Sequence, residues 1–285
     1  MPYTTTTLYA APSILDASVR RARHRNHHAR ACAHASATTS SSDFVKDTDD
    51  AHAVYYFAYG SNINPKTFEG VRNMRPTVSI PCVLRGYALV FNVPGVPYVE
   101  PAFASVRKVQ GEEGVGVATR THGVAHRVSR EEWEYLVTTE GSYDVVDVTC
   151  KTYAGDELAC KTLTHRTLAN FGEQLPSKRY VQLLRDGARH YALAPEWIET
   201  LDALESYDPV ELDIAARAAL ALSIAPTLFA AAPAALGAAA KRLAASGDGR
   251  AAVVDAFVET QDVAWGVHNA VFAPLFGSGG QNIRK

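Results

Sequence analysis

The residues of this chain that can do chemistry lie in two short fragments, Tyr59-Gly60-Ser61-Asn62 and Glu140-Gly141. The first ends an aromatic and apolar run, Val54-Tyr55-Tyr56-Phe57-Ala58-Tyr59, and leads to Pro65. Proline suits the first turn of a helix, where a missing N–H costs nothing, and Asn62 or Asn64 then serves as the N-cap. A glycine between strand and helix lets a ligand come close to the backbone, and the N–H groups at the helix head favour an anion or a developing oxyanion. Taken alone, such a turn is also ordinary architecture. Glu140 ends an apolar helical stretch before a glycine, where a solvated carboxylate is equally ordinary. A glutamate that takes and returns a proton must instead be shielded from water, and Tyr143 is close enough in sequence to help.

Other reactive residues form no pattern. His122, His126, His165 and His190 lack metal-ligand spacing, and His24, His27 and His28 lie in a basic N-terminal stretch. Cys32, Cys82, Cys150 and Cys160 make no CxxC pair, so they read as buried or half-buried thiols in a reducing compartment. No Gly-x-Ser-x-Gly elbow is present. The His and Cys spacings therefore give no metal site. A formal net charge of −2 and dispersed Lys and Arg give no field that would collect nucleic acid.

Positioning the two fragments falls to a mixture of strands and helices. Besides the run from Val54, strand signals cover Ile80–Phe91, Ala102–Lys108, Val115–Thr119, Gly123–Val128, Tyr143–Tyr153 and Glu157–Thr164, broken by glycines and polar turns. Such a set predicts a curved or closed mixed sheet. Ser129 with Glu132 has the form of a capping box and starts a helix that runs to Glu140. Two more helices are predicted over Ser177–Tyr191 and Pro195–Leu204, each with a Ser or Pro start signal and apolar residues three or four apart.

Taken together, Phe57-Ala58-Tyr59-Gly60-Ser61-Asn62, then Glu140-Gly141 with a tyrosine and a Val-rich strand after it, then Pro176-Ser177-x-x-Tyr180, resemble the γ-glutamylcyclotransferase-like superfamily. The resemblance covers about residues 54–205. It implies an α+β fold, a small curved or closed mixed β-barrel flanked by helices. It implies that Tyr59, Gly60, Ser61 and Asn62 hold a γ-glutamyl group through backbone N–H donors, that Tyr143 and Tyr180 line the pocket, and that Glu140 is the acid and base. The activity implied is cyclisation of a γ-glutamyl amino acid or peptide to 5-oxoproline, with no metal or organic cofactor. A γ-glutamylamine substrate, or a non-catalytic binding or membrane-tethered protein of the same fold, is the alternative. Two departures bear on the substrate's leaving group: Leu163 stands where some members have a further pocket tyrosine, and the Glu140–Tyr143 interval is shorter than in the mammalian-type enzyme.

The chain ends differ from this region. Residues 1–42 hold one acid, Asp16, against five arginines and twelve Ser or Thr, which is the composition of an organelle transit peptide. The expectation is a transit peptide and linker over 1–50, a plastid destination with mitochondrion or cytoplasm as alternatives, a catalytic domain over 51–210, and a helical extension over 211–285. The run between Arg217 and Lys241 is uncharged and more than half alanine, so residues 215–240 are read either as a helical hairpin packed on the domain or as a membrane-associated segment. The expected partner is a small-molecule γ-glutamyl substrate, and the assembly is a monomer or a homodimer.

Overall fold

Alternating apolar residues in short strands force burial on one face, and here five strands satisfy that demand by closing on themselves. The computed structural model describes residues 53–109, 119–209 and 231–281. The strands are β1 (Ala53–Ala58), β2 (Val78–Arg85), β3 (Tyr87–Val96), β4 (Glu100–Lys108), β5 (Arg120–Ser129), β6 (Asp144–Thr152) and β7 (Glu157–Thr164). The barrel runs β1-β5-β2-β6-β7 and closes back onto β1, while β3 and β4 form a separate two-stranded ribbon. Neighbours are antiparallel except at the closure, where β7 runs parallel to β1 with Tyr56 opposite Lys161. The Thr162 hydroxyl donates to the Phe57 carbonyl across that seam at 2.8 Å. Phe57, Ala58, Val124, Cys82, Leu84, Cys150 and Cys160 fill the interior. The closed mixed barrel matches the expected fold class.

One expectation is corrected. The single strand over Ile80–Phe91 is two strands in two sheets, because Gly86 at φ 73° turns the chain out of the barrel into the ribbon. The predicted Val115–Thr119 strand lies, up to Thr119, outside the described residues.

The helices are α1 (Arg130–Thr139), α2 (Lys178–His190), α3 (Pro195–Asp202), α4 (231–246), α5 (Gly249–Val267) and α6 (Ala273–Phe276). The α1 capping box is complete: the Glu132 N–H donates to the Ser129 hydroxyl at 3.1 Å, and the Ser129 N–H donates to the Glu132 carboxylate at 3.1 Å. In α2 the Ser177 hydroxyl accepts from the Tyr180 N–H at 3.1 Å, so the Pro-Ser-x-x-Tyr string is itself a helix cap.

The C-terminal helices meet the ribbon and the segment after β7. Trp265 packs edge-on against Phe171 at 4.5 Å, and the Tyr98 hydroxyl donates to the Gly277 carbonyl at 2.9 Å. The aromatic segment from Trp265 to Gly277 is therefore anchored on the protein's own core. Residues 215–230 and the N-terminal fifty fall outside the described residues. No helix among the described residues is long and apolar enough to cross a membrane.

Candidate active site

Three local structures converge on one point. After β1 the chain passes Tyr59 and Gly60 into a single 3-10 turn, Ser61–Ile63, closed by the bond from the Ile63 N–H to the Gly60 carbonyl at 3.0 Å. The Ser61 and Asn62 N–H groups precede that first bond and have no partner within the turn. Helix α2 lies against the turn so closely that a Cβ on Gly187 would stand 2.6 Å from Ile63. A larger residue there would force the turn and α2 apart. The chain then makes one wide turn, Lys66–Val71, in which the Arg72 N–H donates to the Thr67 carbonyl at 2.9 Å, five residues back.

Helix α1 delivers Glu140. It is the C-cap residue, with its N–H donating to the Leu136 carbonyl at 3.1 Å. Its side chain meets the loop: the Asn62 amide donates to Glu140 Oε1 at 3.3 Å and to the Tyr56 hydroxyl at 3.0 Å. Arg72 forms an ion pair with the same Oε1 and also donates to the Thr139 hydroxyl at 3.1 Å. The Glu140 side chain is 14% exposed, which shields the pair from water yet leaves the carboxyl reachable.

Four phenols surround this carboxylate. The Tyr180 hydroxyl accepts from the Ala104 N–H at 3.2 Å and sits beside Gly60, where an added Cβ would be 3.0 Å away. Tyr143 donates to the Ala104 carbonyl at 3.0 Å, and Tyr59 donates to the Leu163 carbonyl. Burial pushes all four hydroxyls up, Tyr180 to about 12, and for Tyr56 the charge of Glu140 adds to it. Each phenol stays neutral at ordinary pH, a wall of dipoles around one carboxylate. Among the described residues, no group of three or more His, Cys, Asp and Glu has the arrangement to hold a metal ion.

No protein-family model matches the chain. The γ-glutamyl cyclotransferase aclK of Aspergillus oryzae is 31% identical over 159 residues, covering 50% of this chain and 58% of that protein. The γ-glutamyl cyclotransferase gliK of Aspergillus fumigatus is 29% identical and covers 56% of this chain and 66% of that one. The chain thus spans less than two thirds of these first relatives. The human γ-glutamylcyclotransferase is 28% identical over 164 residues, covering 56% of this chain and 82% of its own length. The chain is thus similar in sequence to proteins named γ-glutamyl cyclotransferase. A solved structure titled γ-glutamyl cyclotransferase is 20% identical and superposes on 59% of this chain and 98% of that one, with a TM-score of 0.46.

Against the superfamily pattern, Tyr59, Gly60, Ser61, Asn62, Glu140, Tyr143 and Tyr180 all lie at one site. One sequence reading is corrected: Asn62 is not a helix cap. Its amide points inward to Glu140 and Tyr56, while the Asn64 side chain accepts from the Lys66 N–H at 3.0 Å. Three participants were not anticipated. Tyr56 sat inside the quoted strand and had a signal, an aromatic hydroxyl three residues before Tyr59. Arg72 had none, because its approach depends on the wide turn that folds it back. Ala104 takes part only through its backbone, which no residue type discloses. Leu163 is buried, and its carbonyl serves Tyr59.

Proposed function

We propose that this protein is a γ-glutamylcyclotransferase that closes the γ-glutamyl group of an amino acid or peptide conjugate into 5-oxoproline and releases the amine. The observation that carries this reading is the 3.3 Å contact between the Asn62 amide and the Glu140 carboxylate, which joins a glycine loop and a shielded proton acceptor 78 residues apart. In the proposed step the substrate α-ammonium gives a proton to Glu140, and the freed α-nitrogen forms a bond to the γ-carbonyl carbon. The bond from that carbon to the departing nitrogen then breaks as Glu140 returns the proton to it, and the ring nitrogen's second proton passes to the released amine, which leaves as an ammonium. Glu140 takes one proton and returns one, so one carboxylate suffices.

The attack is intramolecular, so the chain's task is to fold the substrate into the attack geometry and to hold the charge that builds on oxygen. In this reading the loop N–H groups hold the anionic oxygen, and the neutral Tyr180 hydroxyl stands beside Gly60. The two curated Aspergillus relatives and the human protein carry the same activity in their names, which supports the reaction class. The test is 5-oxoproline release from a panel of γ-glutamyl amino acids, γ-glutamyl amines and glutathione. Product from one class names the leaving group; no product from any of them would overturn the reading.

A further inference from the structure

The Glu140 carboxylate is not alone at its site, and its cation has no part in the proton path described above. Arg72 reaches Oε1 through Nη2 and ties the adjacent Thr139 hydroxyl through Nη1 at 3.1 Å. The Asn62 amide donates to the same oxygen. Oε1 therefore carries two donors, while no bond to Oε2 occurs among the described residues. The arginine side chain is 23% exposed and that of the glutamate 14%, so the pair works in a medium drier than water. Arg72 Nε is buried without a hydrogen-bond partner, a cost for a group that elsewhere would face solvent.

The titratable groups that act on Glu140 from its surroundings are Tyr56 of β1, Tyr59 of the loop, Tyr143 of its own segment, Tyr180 of α2 and Arg72 of the wide turn. The four phenols are neutral. Arg72 is the one charged member of this set.

We infer that Arg72 is a positioning residue for proton transfer: it turns Glu140 so that Oε2, not Oε1, meets the substrate's ammonium. This rests on the γ-glutamylcyclotransferase reading. The physical reason is that the guanidinium, anchored at Oε1 and at the Thr139 hydroxyl, stops the carboxylate from rotating without occupying the working oxygen. A lysine would keep the charge but lose the fork that reaches Glu140 and Thr139 together.

The test compares the full chain with Arg72→Gln and Arg72→Lys. Arg72→Gln should lower kcat about tenfold or more with KM within about twofold of the wild type, because substrate still binds while the working oxygen is no longer aimed. Arg72→Lys should lose nearly as much kcat, because the charge remains and the fork does not. A folded Arg72→Gln with the kcat of the wild type overturns the inference. So does a rise in KM as large as the fall in kcat, accompanied by a lower Tm, the mark of a purely structural arginine. The two readings fail separately: a wild type that forms no 5-oxoproline overturns the reaction assignment, and a wild type that forms it beside an equally active Arg72→Gln overturns the role of Arg72 alone.

Discussion

At the residue scale, the decisive side chain is Glu140, held by Asn62 and Arg72 through a single oxygen. Glu140→Gln keeps the size and the hydrogen-bonding oxygen but cannot accept a proton from an ammonium. It should lower 5-oxoproline release by at least ~10²-fold with a smaller change in KM. Release within a few-fold of wild type would remove Glu140 from the proton path. The glutamate was legible because its neighbours were: Glu140-Gly141, together with the Gly60 loop, formed a recognisable combination. Arg72 was not, since an arginine ten positions beyond Asn62 in an irregular stretch looks like any surface cation.

At the element scale, α1 acts as a ruler between a fixed start and the Glu140 end. Its capping box ties Ser129 to Glu132 in both directions, and Glu132 also accepts from the Arg75 N–H at 2.7 Å. Ser129→Ala should cost ~1 kcal/mol of stability. With a Tm shift of about 2 to 4 °C for each such kcal/mol in a chain of this size, a thermal melt reads the loss directly. An unchanged Tm would mean that α1 is held by packing alone.

A second element-scale link joins the segment after Glu140 to the C-terminal helices. Arg166 grips Asp144 with Nε at 2.7 Å and Nη2 at 2.8 Å, and Nη1 reaches Asp255 of α5 at 2.5 Å. Arg242 of α4 meets Asp255 at 2.8 Å. Asp144 directly follows Tyr143, whose ring packs edge-on against His165 at 5.8 Å. Arg166→Gln should therefore lower Tm and raise KM together. The Tm gap to wild type should narrow in 1 M salt, because the partners are partly exposed and screened there. A salt-independent gap would assign the loss to packing.

At the scale of the whole molecule, the barrel and its helices bury histidines that must stay neutral. Burial holds His126 down to about 4, where its Nδ1 meets the Ser79 hydroxyl at 2.9 Å and its ring stacks on Phe68 at 4.4 Å. Burial also lowers His122, His165 and His268. In the unfolded chain a histidine takes its proton near pH 6.5. Between that value and the folded one the unfolded state binds more protons, so stability is full above about pH 6.5, falls as the pH drops, and has lost the His126 contribution below about 4. For His126 alone the loss is on the order of 3 kcal/mol. Tm measured from pH 7.5 to 4 should decline throughout this window, and His126→Asn should flatten part of the decline. A Tm that stays level down to pH 5 would show that these rings are not held neutral.

What the sequence by itself determined was local. The capping signals of α1 and α2, the strand limits of β7, and the order of the three motifs follow from short-range backbone preferences and from hydrophobic period, and these act within a few residues. Tertiary structure decided the rest. Gly86 splits one apolar run between two sheets, since only a left-handed turn lets the chain leave a closing barrel. Asn62 faces inward because α2, lying against Ile63 at Gly187, fixes the turn that carries it. Arg72 finds Glu140, and Ala104 finds Tyr143 and Tyr180, only where distant segments cross. Pairing of that kind depends on how the barrel closes, and no neighbour in sequence records it.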